Sequence, residues 1–515
     1  MKRLFARFPL PPSPFPLLFI VCFPIFLILA TANGAGYRFG VSDQAGYVPA
    51  VMLAENPAAF PHDASLIRTH AQFFVIDELL GGIGRATGVS LESRFFAAYL
   101  VAMAVVWIGV VLIGWTVYGL TPERSRTTAW WLMLALAATV TLRHHIPRTS
   151  ANSLEPYFHP RLLAFGLGII AVAAFLRHRH VTAVALVGVA ALCHVTTALW
   201  FTVLIGTALV IVDKRWRLPA MVVGLATIAV LGWALAAGPL RSGAATMDAR
   251  WIEALGGRNF IFADEWPLWA WAANLGLLAA LWGAHTVRVR RGNATVRDGS
   301  LVWGATAIVA LFLVTLPLVA AHVALAVQFQ FSRVFWVVDF LVALYVIAAL
   351  GESMRSRHAA IVALVLLTAS VARSTYIMWS EHPERSLFQV SLPSSPWMDA
   401  MHWVADQPLN VQVVAAPDHA FRYGVSVRVA ARHDVLLEDF KDSADAMYSR
   451  DIAERTIERR NALADFGNMT AAAAQSLAAR FDVDYLVTEA VLPLREVYRN
   501  SQFRIYALKP AGPAS

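Results

Sequence analysis

The chain has 515 residues, of which 58% are hydrophobic and only 15% are charged, and its mean hydropathy is +0.57. Soluble domains carry roughly 25% charged residues, so this composition, with repeated apolar runs of roughly 17–25 residues, predicts an α-helical polytopic membrane protein. The net charge of +8 does not indicate a nucleic-acid partner, because the basic residues lie in short loops between apolar runs.

The first predicted element is an apolar segment that ends near Ala32 and follows the basic N-terminus MKRLFARF. It is interpreted as a retained membrane anchor, with a cleaved signal as the alternative, because Ala30-Thr31-Ala32 resembles a signal-peptidase site. In both cases residues 33–94 form a long first loop outside the cytoplasm, and long ordered loops are usually functional. Two short interfacial helices are expected within it, at 47–55 and 66–80.

Further apolar segments bring the predicted total to about eleven spans, with the N-terminus in the cytoplasm and the C-terminus outside. The block 181–212 is too long for one crossing at 1.5 Å per residue, so it is interpreted as two helices that meet at His194. Short basic loops all fall on the cytoplasmic side of this topology, which suits a multi-pass protein of a bacterial inner membrane. The other spans are predicted at about 95–119, 128–142, 162–176, 218–236, 267–285, 301–320, 334–350 and 359–378.

A composition change near residue 380 divides the chain into a transmembrane domain, 1–379, and an extracytoplasmic α/β domain, 380–515. Strand-length apolar runs alternate there with helix-like stretches, and roughly 130 residues are enough for a separate core. The predicted strands are VQVVAAP, VSVRVAA, DVLLED, VDYLVTE and FRIYAL, and the predicted helices are SPWMDAMHWVAD, MYSRDIAERTIERRNALADF and AAAAQSLAARF.

Carboxylates in the first outer loop are the main candidates for chemistry. Asp43 could act as a general base that takes a proton from an attacking hydroxyl, or it could cap a helix beginning at the next residue. Asp63 could share a divalent cation with Asp43, since hard cations favour oxygen ligands, or it could cap a helix at Ala64. The metal requirement stays open, and the two cysteines, both in apolar segments, support neither a disulfide nor a metal site.

Basic residues at the outer ends of two spans are candidates for binding phosphate. Arginine suits bidentate phosphate contacts, so Arg161 or Arg333 could hold the phosphate of a lipid carrier; ordinary interfacial anchoring is the alternative for both. Asp339 lies deeper in its span, where ionisable residues are functional or paired. The other candidate substrate-binding residues on the outer face are Gln44, Asp63, Glu155, His159, His194 and Gln330, of which His194 is also typical of a satisfied structural histidine.

The many spans, the acidic Asp43 soon after the first span and the outer α/β domain together resemble the GT-C superfamily of polytopic glycosyltransferases. Asp43-Gln44 stands where several such families carry Asp-Asp or Asp-Glu. The resemblance implies a polyprenyl-phosphate-linked sugar as donor, a glycan, lipid or protein as acceptor, and transfer at the outer face of the membrane. It also implies Asp43 as the base and basic residues of the outer loops as phosphate binders.

The hypothesis is therefore an inverting transferase in which the lipid phosphate is already a good leaving group. No second carboxylic acid is then needed to protonate the leaving oxygen, unlike in a glycosidase. Tyr37, Trp251 and Trp266 are available to stack on sugar.

A transporter or lipid flippase is one alternative and predicts functional charges deep in the spans and an inverted repeat. A non-catalytic envelope-assembly scaffold is the other, and it predicts no polar cavity around Asp43.

Overall fold

The computed structural model describes residues 15–71, 75–119, 126–238 and 240–509. The basic N-terminus and most of the predicted inner loop TPERSR (121–126) lie outside these ranges. Long apolar sequences fold as helices because a helix satisfies its own backbone hydrogen bonds, as a bilayer requires. Up to residue 376 the helices are α1 (Phe15–Ala32), α2 (Gln44–Glu55), α3 (Ala64–Ala71), α4 (Ile76–Thr87), α5 (Leu91–Gly119), α6 (Arg126–Thr141), α7 (Pro160–Leu176), α8 (His180–Cys193), α9 (Val195–Val212), α10 (Arg217–Ala236), α11 (Ala249–Ala254), α12 (Leu268–Arg290), α13 (Val296–Ala320), α14 (Ala324–Phe329), α15 (Val334–Gly351) and α16 (Ser356–Tyr376).

Within the described residues, six helices are long and apolar enough to cross a membrane by length and composition. Three shorter apolar helices lie at Ile20–Ala32, Pro160–Leu176 and His180–Cys193. A helix forms at every one of the predicted apolar segments, and the block 181–212 is divided at His194 as the sequence predicts. The chain thus has the architecture of a helical membrane protein, while the count of eleven crossings stays a prediction.

The first loop differs in detail from its prediction. The helix expected at 47–55 belongs to α2. The single helix expected at 66–80 was wrong, because Val75 is not helical and α4 begins only at Ile76; residues 72–74 of that prediction lie outside the described residues. Helix α5 begins at Leu91, four residues before the predicted span. Its first turn is fixed by Arg94, which pairs with Glu55 and donates a 2.6 Å hydrogen bond to the Leu80 carbonyl oxygen.

The C-terminal region forms a five-stranded mixed sheet. The strand order is β6-β5-β7-β9-β8, with β5 parallel to β6 and β7, and with β9 antiparallel to β7 and β8. The segment VSVRVAA was wrongly predicted as a strand, because the Ser426 hydroxyl caps a short helix by accepting from the Val429 N–H. The strands of the whole chain are β1 (Tyr37–Arg38), β2 (His145–Ile146), β3 (Ala151–Asn152), β4 (Phe388–Gln389), β5 (Gln412–Val414), β6 (Asp434–Val435), β7 (Tyr485–Thr488), β8 (Arg495–Arg499) and β9 (Arg504–Ala507).

Helices surround this sheet, and the helix Asp439–Asp445 carries Lys441 and Asp445, two residues of the candidate site described below. The predicted helix SPWMDAMHWVAD is confirmed at 396–405 and AAAAQSLAARF at 471–481, while β8 was not predicted. Strand β8 is hard to recognise because it is a charged, largely exposed edge strand. The helices of this region are α17 (Pro396–Ala405), α18 (His419–Arg422), α19 (Val427–Ala430), α20 (Asp439–Asp445), α21 (Arg450–Ala462) and α22 (Ala471–Phe481).

The C-terminal sheet region is joined closely to one end of the helix bundle. Strand β1 follows α1 and pairs in parallel with β4, which follows α16, so the C-terminal ends of these two helices are adjacent. One hydrophobic cluster runs from the bundle into this region, as far as Val427, Val487 and Ile505. Gly40 lies at the contact with a φ of +79°, and a Cβ there would stand 2.8 Å from the Val429 side chain, so glycine is required.

Candidate functional site

Asp43 lies at the junction of the helix bundle and the C-terminal region. It occupies the N-cap position of α2, but its side chain makes no capping hydrogen bond, so the capping alternative does not describe it. Its Oδ1 is 2.5 Å from Lys441 Nζ, and its Oδ2 accepts a 3.2 Å hydrogen bond from the Tyr157 hydroxyl. Oδ2 also lies 3.4 Å from His159 Nε2 and 3.8 Å from Arg161 Nη2.

Gln44 fixes the position of the turn that carries Asp43. It is fully buried, its Oε1 accepts a 2.8 Å hydrogen bond from the Gly40 N–H, and its Nε2 donates to the Phe158 carbonyl oxygen at 3.2 Å. These two bonds fasten the turn at 40–44 onto the 157–159 segment. Gln44, a predicted substrate-binding residue, is therefore placed as a support for Asp43.

His159 begins helix α7, with Pro160 in the first helical position where a missing N–H costs nothing. Its Nδ1 accepts a 3.1 Å hydrogen bond from the Arg161 backbone N–H, so the proton of the neutral ring is assigned to Nε2, which faces Asp43. Burial, followed by the nearby Arg161 charge, lowers the pKa of His159 to about 3. His159 is thus a neutral hydrogen-bond donor to Asp43 near neutral pH.

Arg161 is positioned by Glu155. The two buried side chains form a 2.5 Å ion pair between Nη2 and Oε1, and Asn152 Nδ2 donates to the same carboxylate at 3.2 Å. Glu155 therefore orients the guanidinium at the start of α7 beside Asp43. Of the sequence-predicted residues, the structure brings together Asp43, His159, Arg161 and, through Arg161, Glu155.

The charge on Asp43 is fixed by the cations around it. Burial alone would raise the pKa of this carboxyl, but the charges of Lys441 and Arg161, together with the hydrogen bond from His159, outweigh burial and hold the pKa well below its usual range. The Asp43 side chain is still 30% exposed, so solvent can reach it. Asp43 is accordingly an ionised, accessible carboxylate near neutral pH.

Arg333 supplies another cation to the same site. It ends a 3₁₀ turn before α15, and its Nε donates a long 3.5 Å hydrogen bond to the Thr149 carbonyl oxygen, which lies between β2 and β3. Among the described residues, no carboxylate lies within 4.0 Å of its guanidinium. Its positive charge lowers the pKa of both His159 and Tyr448.

A cavity opens beside Lys441, the ion-pair partner of Asp43. It encloses about 350 Å³ including the space at its mouth, and Tyr47, Ala50, Leu66, Lys441 and Asp445 contribute to its wall. A second, more apolar hollow of about 280 Å³ shares Tyr47 and Ala50 and continues between Val51, Ile76, Phe95 and Phe158. The two hollows place a polar wall and an apolar wall next to each other.

Asp63 is not part of this group. Its side chain is fully buried and binds Arg428, with Oδ2 2.7 Å from Nε, and it also pairs with Arg455. Because both oxygens are occupied by guanidinium groups, Asp63 has no free position for a cation shared with Asp43. It instead joins the first loop to the C-terminal region.

The remaining predicted residues have structural partners or lie near the edge of the site. His194 caps α9 by accepting from the Thr197 N–H, and its ring centroid is 5.9 Å from that of His159. Gln330 donates to Met447 Sδ at 3.6 Å. Asp339 pairs with His144, with 2.8 Å between Oδ2 and Nδ1. The three aromatic residues proposed for sugar stacking, Tyr37, Trp251 and Trp266, are all buried.

Sequence reasoning missed Lys441, Asp445 and Tyr448, which the C-terminal region contributes. One available signal was the rarity of lysine, which occurs only at Lys2, Lys214, Lys441 and Lys509.

Among the described residues, no group of three or more His, Cys, Asp and Glu could hold a metal ion. Comparison with protein-family models gives no match, and comparison with curated proteins gives no significant match.

Proposed function

We propose that this protein is a membrane glycosyltransferase that moves a sugar from a polyprenyl-phosphate donor to an acceptor hydroxyl at the extracytoplasmic face. The observation that carries the proposal is the Asp43 carboxylate, which is paired with Lys441 and lies 3.8 Å from Arg161, while Lys441 itself lines a cavity next to the apolar helices. A carboxylate can orient and polarise an attacking hydroxyl, and cations stabilise the charge that develops on a departing phosphate.

The donor class is supported by the neighbouring hollows. A polyprenyl-phosphate sugar is an amphiphile that needs a polar site for its head group and an apolar path for its chain. Lys441 and Asp445 lie in the wall of the first cavity, and the second hollow, which shares Tyr47 and Ala50 with it, is lined by Val51, Phe95 and Phe158. Arg333, which has no carboxylate partner among the described residues, is available for the phosphate.

The position of the site beyond the ends of apolar helices supports the same reaction. Asp43 follows α1, His159 and Arg161 begin α7, and Arg333 precedes α15, so the ends of three apolar helices meet at the site. Exposed aromatic side chains, Trp269 and Trp379, lie near the ends of α12 and α16, as expected at a membrane interface. A lipid-borne phosphate would lie at this depth.

The test uses full-length protein in detergent with a panel of farnesyl-phosphate-linked hexoses and pentoses, and measures release of farnesyl phosphate and sugar transfer. We expect the wild type to use at least one donor and Asp43→Asn to lose about 100-fold or more in kcat, within the range of acid–base groups. Asp439→Asn is the matched control, because Asp439 is a 39%-exposed carboxylate of α20.

Two results would contradict the proposal. The first is a folded wild-type protein that releases farnesyl phosphate from no donor in the panel. The second is a correctly folded Asp43→Asn variant that transfers sugar at the wild-type rate, which would remove Asp43 from the mechanism.

A further inference from the structure

Asp445 is a buried carboxyl group that faces the cavity without a partner. It lies one helical turn after Lys441 on α20, is only 8% exposed, and contributes to the cavity wall together with Tyr47 and Lys441. Among the described residues, its side chain makes no hydrogen bond and no ion pair within 4.0 Å. No group of the described part of the chain therefore occupies the carboxyl oxygens, which are open to a molecule bound in the cavity.

The charges that face Asp445 come from several elements. Burial is the main effect and raises its pKa to about 7, opposed by Lys441 and reinforced by Asp442, with smaller lowering effects of Arg428 and Arg258. Glu438 and Tyr448 also respond to its charge. A general base is most effective when its pKa lies near the working pH, whereas Asp43 is held far below that range.

We propose that Asp445 is the catalytic group that accepts the proton of the acceptor hydroxyl, while Asp43 with Lys441 orients that hydroxyl. Two carboxyl groups whose surroundings separate their ionisation in this way are a common basis for divided roles. Asp43 is paired with Lys441, and Lys441 shares the cavity wall with Asp445, so both carboxyl groups lie near the same lysine. The inference rests on the proposed function.

The proposed step is a substitution at the anomeric carbon of the donor sugar. The acceptor oxygen forms a bond to the anomeric carbon, and the bond from that carbon to the phosphate oxygen breaks with its electron pair leaving on phosphate. The hydroxyl proton passes to the Asp445 carboxylate. A singly charged phosphodiester thus becomes a doubly charged phosphate monoester, and the Asp445 carboxylate becomes a neutral acid that later loses its proton to solvent.

The experiment compares wild type, Asp445→Asn, Asp445→Glu and Asp439→Asn as full-length proteins, with the farnesyl-phosphate-linked sugars as donors. The wild-type kcat should rise with pH and level off above about 7, because the base must be ionised. Above pH 7, Asp445→Asn should lose about 100-fold or more in kcat with little change in KM, and its kcat should no longer rise with pH. Asp445→Glu should keep a pH-dependent rise, and Asp439→Asn should match wild type.

The outcomes separate this inference from the proposed function. If wild type transfers sugar and folded Asp445→Asn keeps its kcat and its pH profile, Asp445 is not the base, although the transferase proposal stands. If Asp445→Asn changes only KM, Asp445 binds substrate and is not the proton acceptor. If wild type transfers no sugar from any donor, both proposals fail. Thermal unfolding of each variant shows whether a loss reflects chemistry or misfolding.

Discussion

Lys441 Nζ lies 2.5 Å from Asp43 Oδ1, and this ion pair joins the first loop to a helix 398 residues further along the chain. It places a cation of the C-terminal region against the carboxylate that follows the first apolar helix. The candidate site is therefore complete only when the two parts of the chain are packed together.

Replacing this lysine tests the electrostatic role of the pair. Lys441 lowers the pKa of both Asp43 and Asp445, so Lys441→Met should raise both pKa values. Since both carboxyl groups are needed in ionised form, the rising limb of the activity–pH profile should move to higher pH. Lys441→Arg keeps the charge and should leave the limb near its wild-type position. An unmoved limb in Lys441→Met would refute this account.

Arg333 is predicted to bind the phosphate of the donor. Arg333→Met should raise the inhibition constant for free farnesyl phosphate about 10–100-fold, because a hydrogen bond to a charged group contributes about 1.5–3 kcal/mol. The control is Arg355→Met, at an exposed arginine between α15 and α16. Equal inhibition constants for Arg333→Met and wild type would exclude Arg333 from phosphate binding.

The buried Asp63 network is predicted to act on stability. Asp63→Asn leaves Arg428 and Arg455 without their shared carboxylate, and breaking a buried ion pair costs about 3–5 kcal/mol. The thermal unfolding midpoint of the protein in detergent should fall clearly. Asp248→Asn, at an exposed pair with Arg450, should leave the midpoint nearly unchanged. A midpoint for Asp63→Asn equal to that of wild type would contradict this role.

Glu438 is predicted to make stability depend on pH. Burial, against Arg428 and with Asp442, raises its pKa from 4.5 to about 8, and neither carboxyl oxygen has a hydrogen-bond partner among the described residues. A raised folded-state pKa means that stability present below 4.5 is lost as the pH rises through about 8.

Glu438→Gln removes this titration without changing the shape of the side chain. The variant should unfold at a higher temperature than wild type above pH 8, and the difference should shrink toward acidic pH. Glu458→Gln, at a 49%-exposed carboxylate, is the control and should show no such pH-dependent difference. A constant offset between Glu438→Gln and wild type at all pH values would argue against the titration.

Much of the architecture follows from local sequence. Continuous apolar runs can satisfy their backbone groups in lipid only as helices, so helices form at each predicted segment, including the division at His194. Alternating short strands and helices likewise predicted a C-terminal α/β region. The strand predicted from alternating apolar residues near Ser426 was wrong, because the Ser426 side chain caps a short helix there with one hydrogen bond.

The candidate site was predicted only in part. Asp43, His159 and Arg161 were found because each flanks an apolar segment on the predicted outer face, so topology alone places them at one level. Lys441 and Asp445 were missed because they lie on a short polar helix in the C-terminal region, far away along the chain. Asp63 was misplaced because loop position does not show which partner a carboxylate will meet.

The sequence by itself determined the helices and the end of the bundle at which polar groups collect, because hydrophobic length and charge position act locally. Only the tertiary structure decided which charges meet. In the folded protein Asp63 pairs with Arg428 and Asp43 pairs with Lys441, while Asp445 has no ion-pair partner among the described residues and lies at a cavity wall. Ion pairing depends on distances of a few ångströms between residues hundreds of positions apart, which no local pattern encodes.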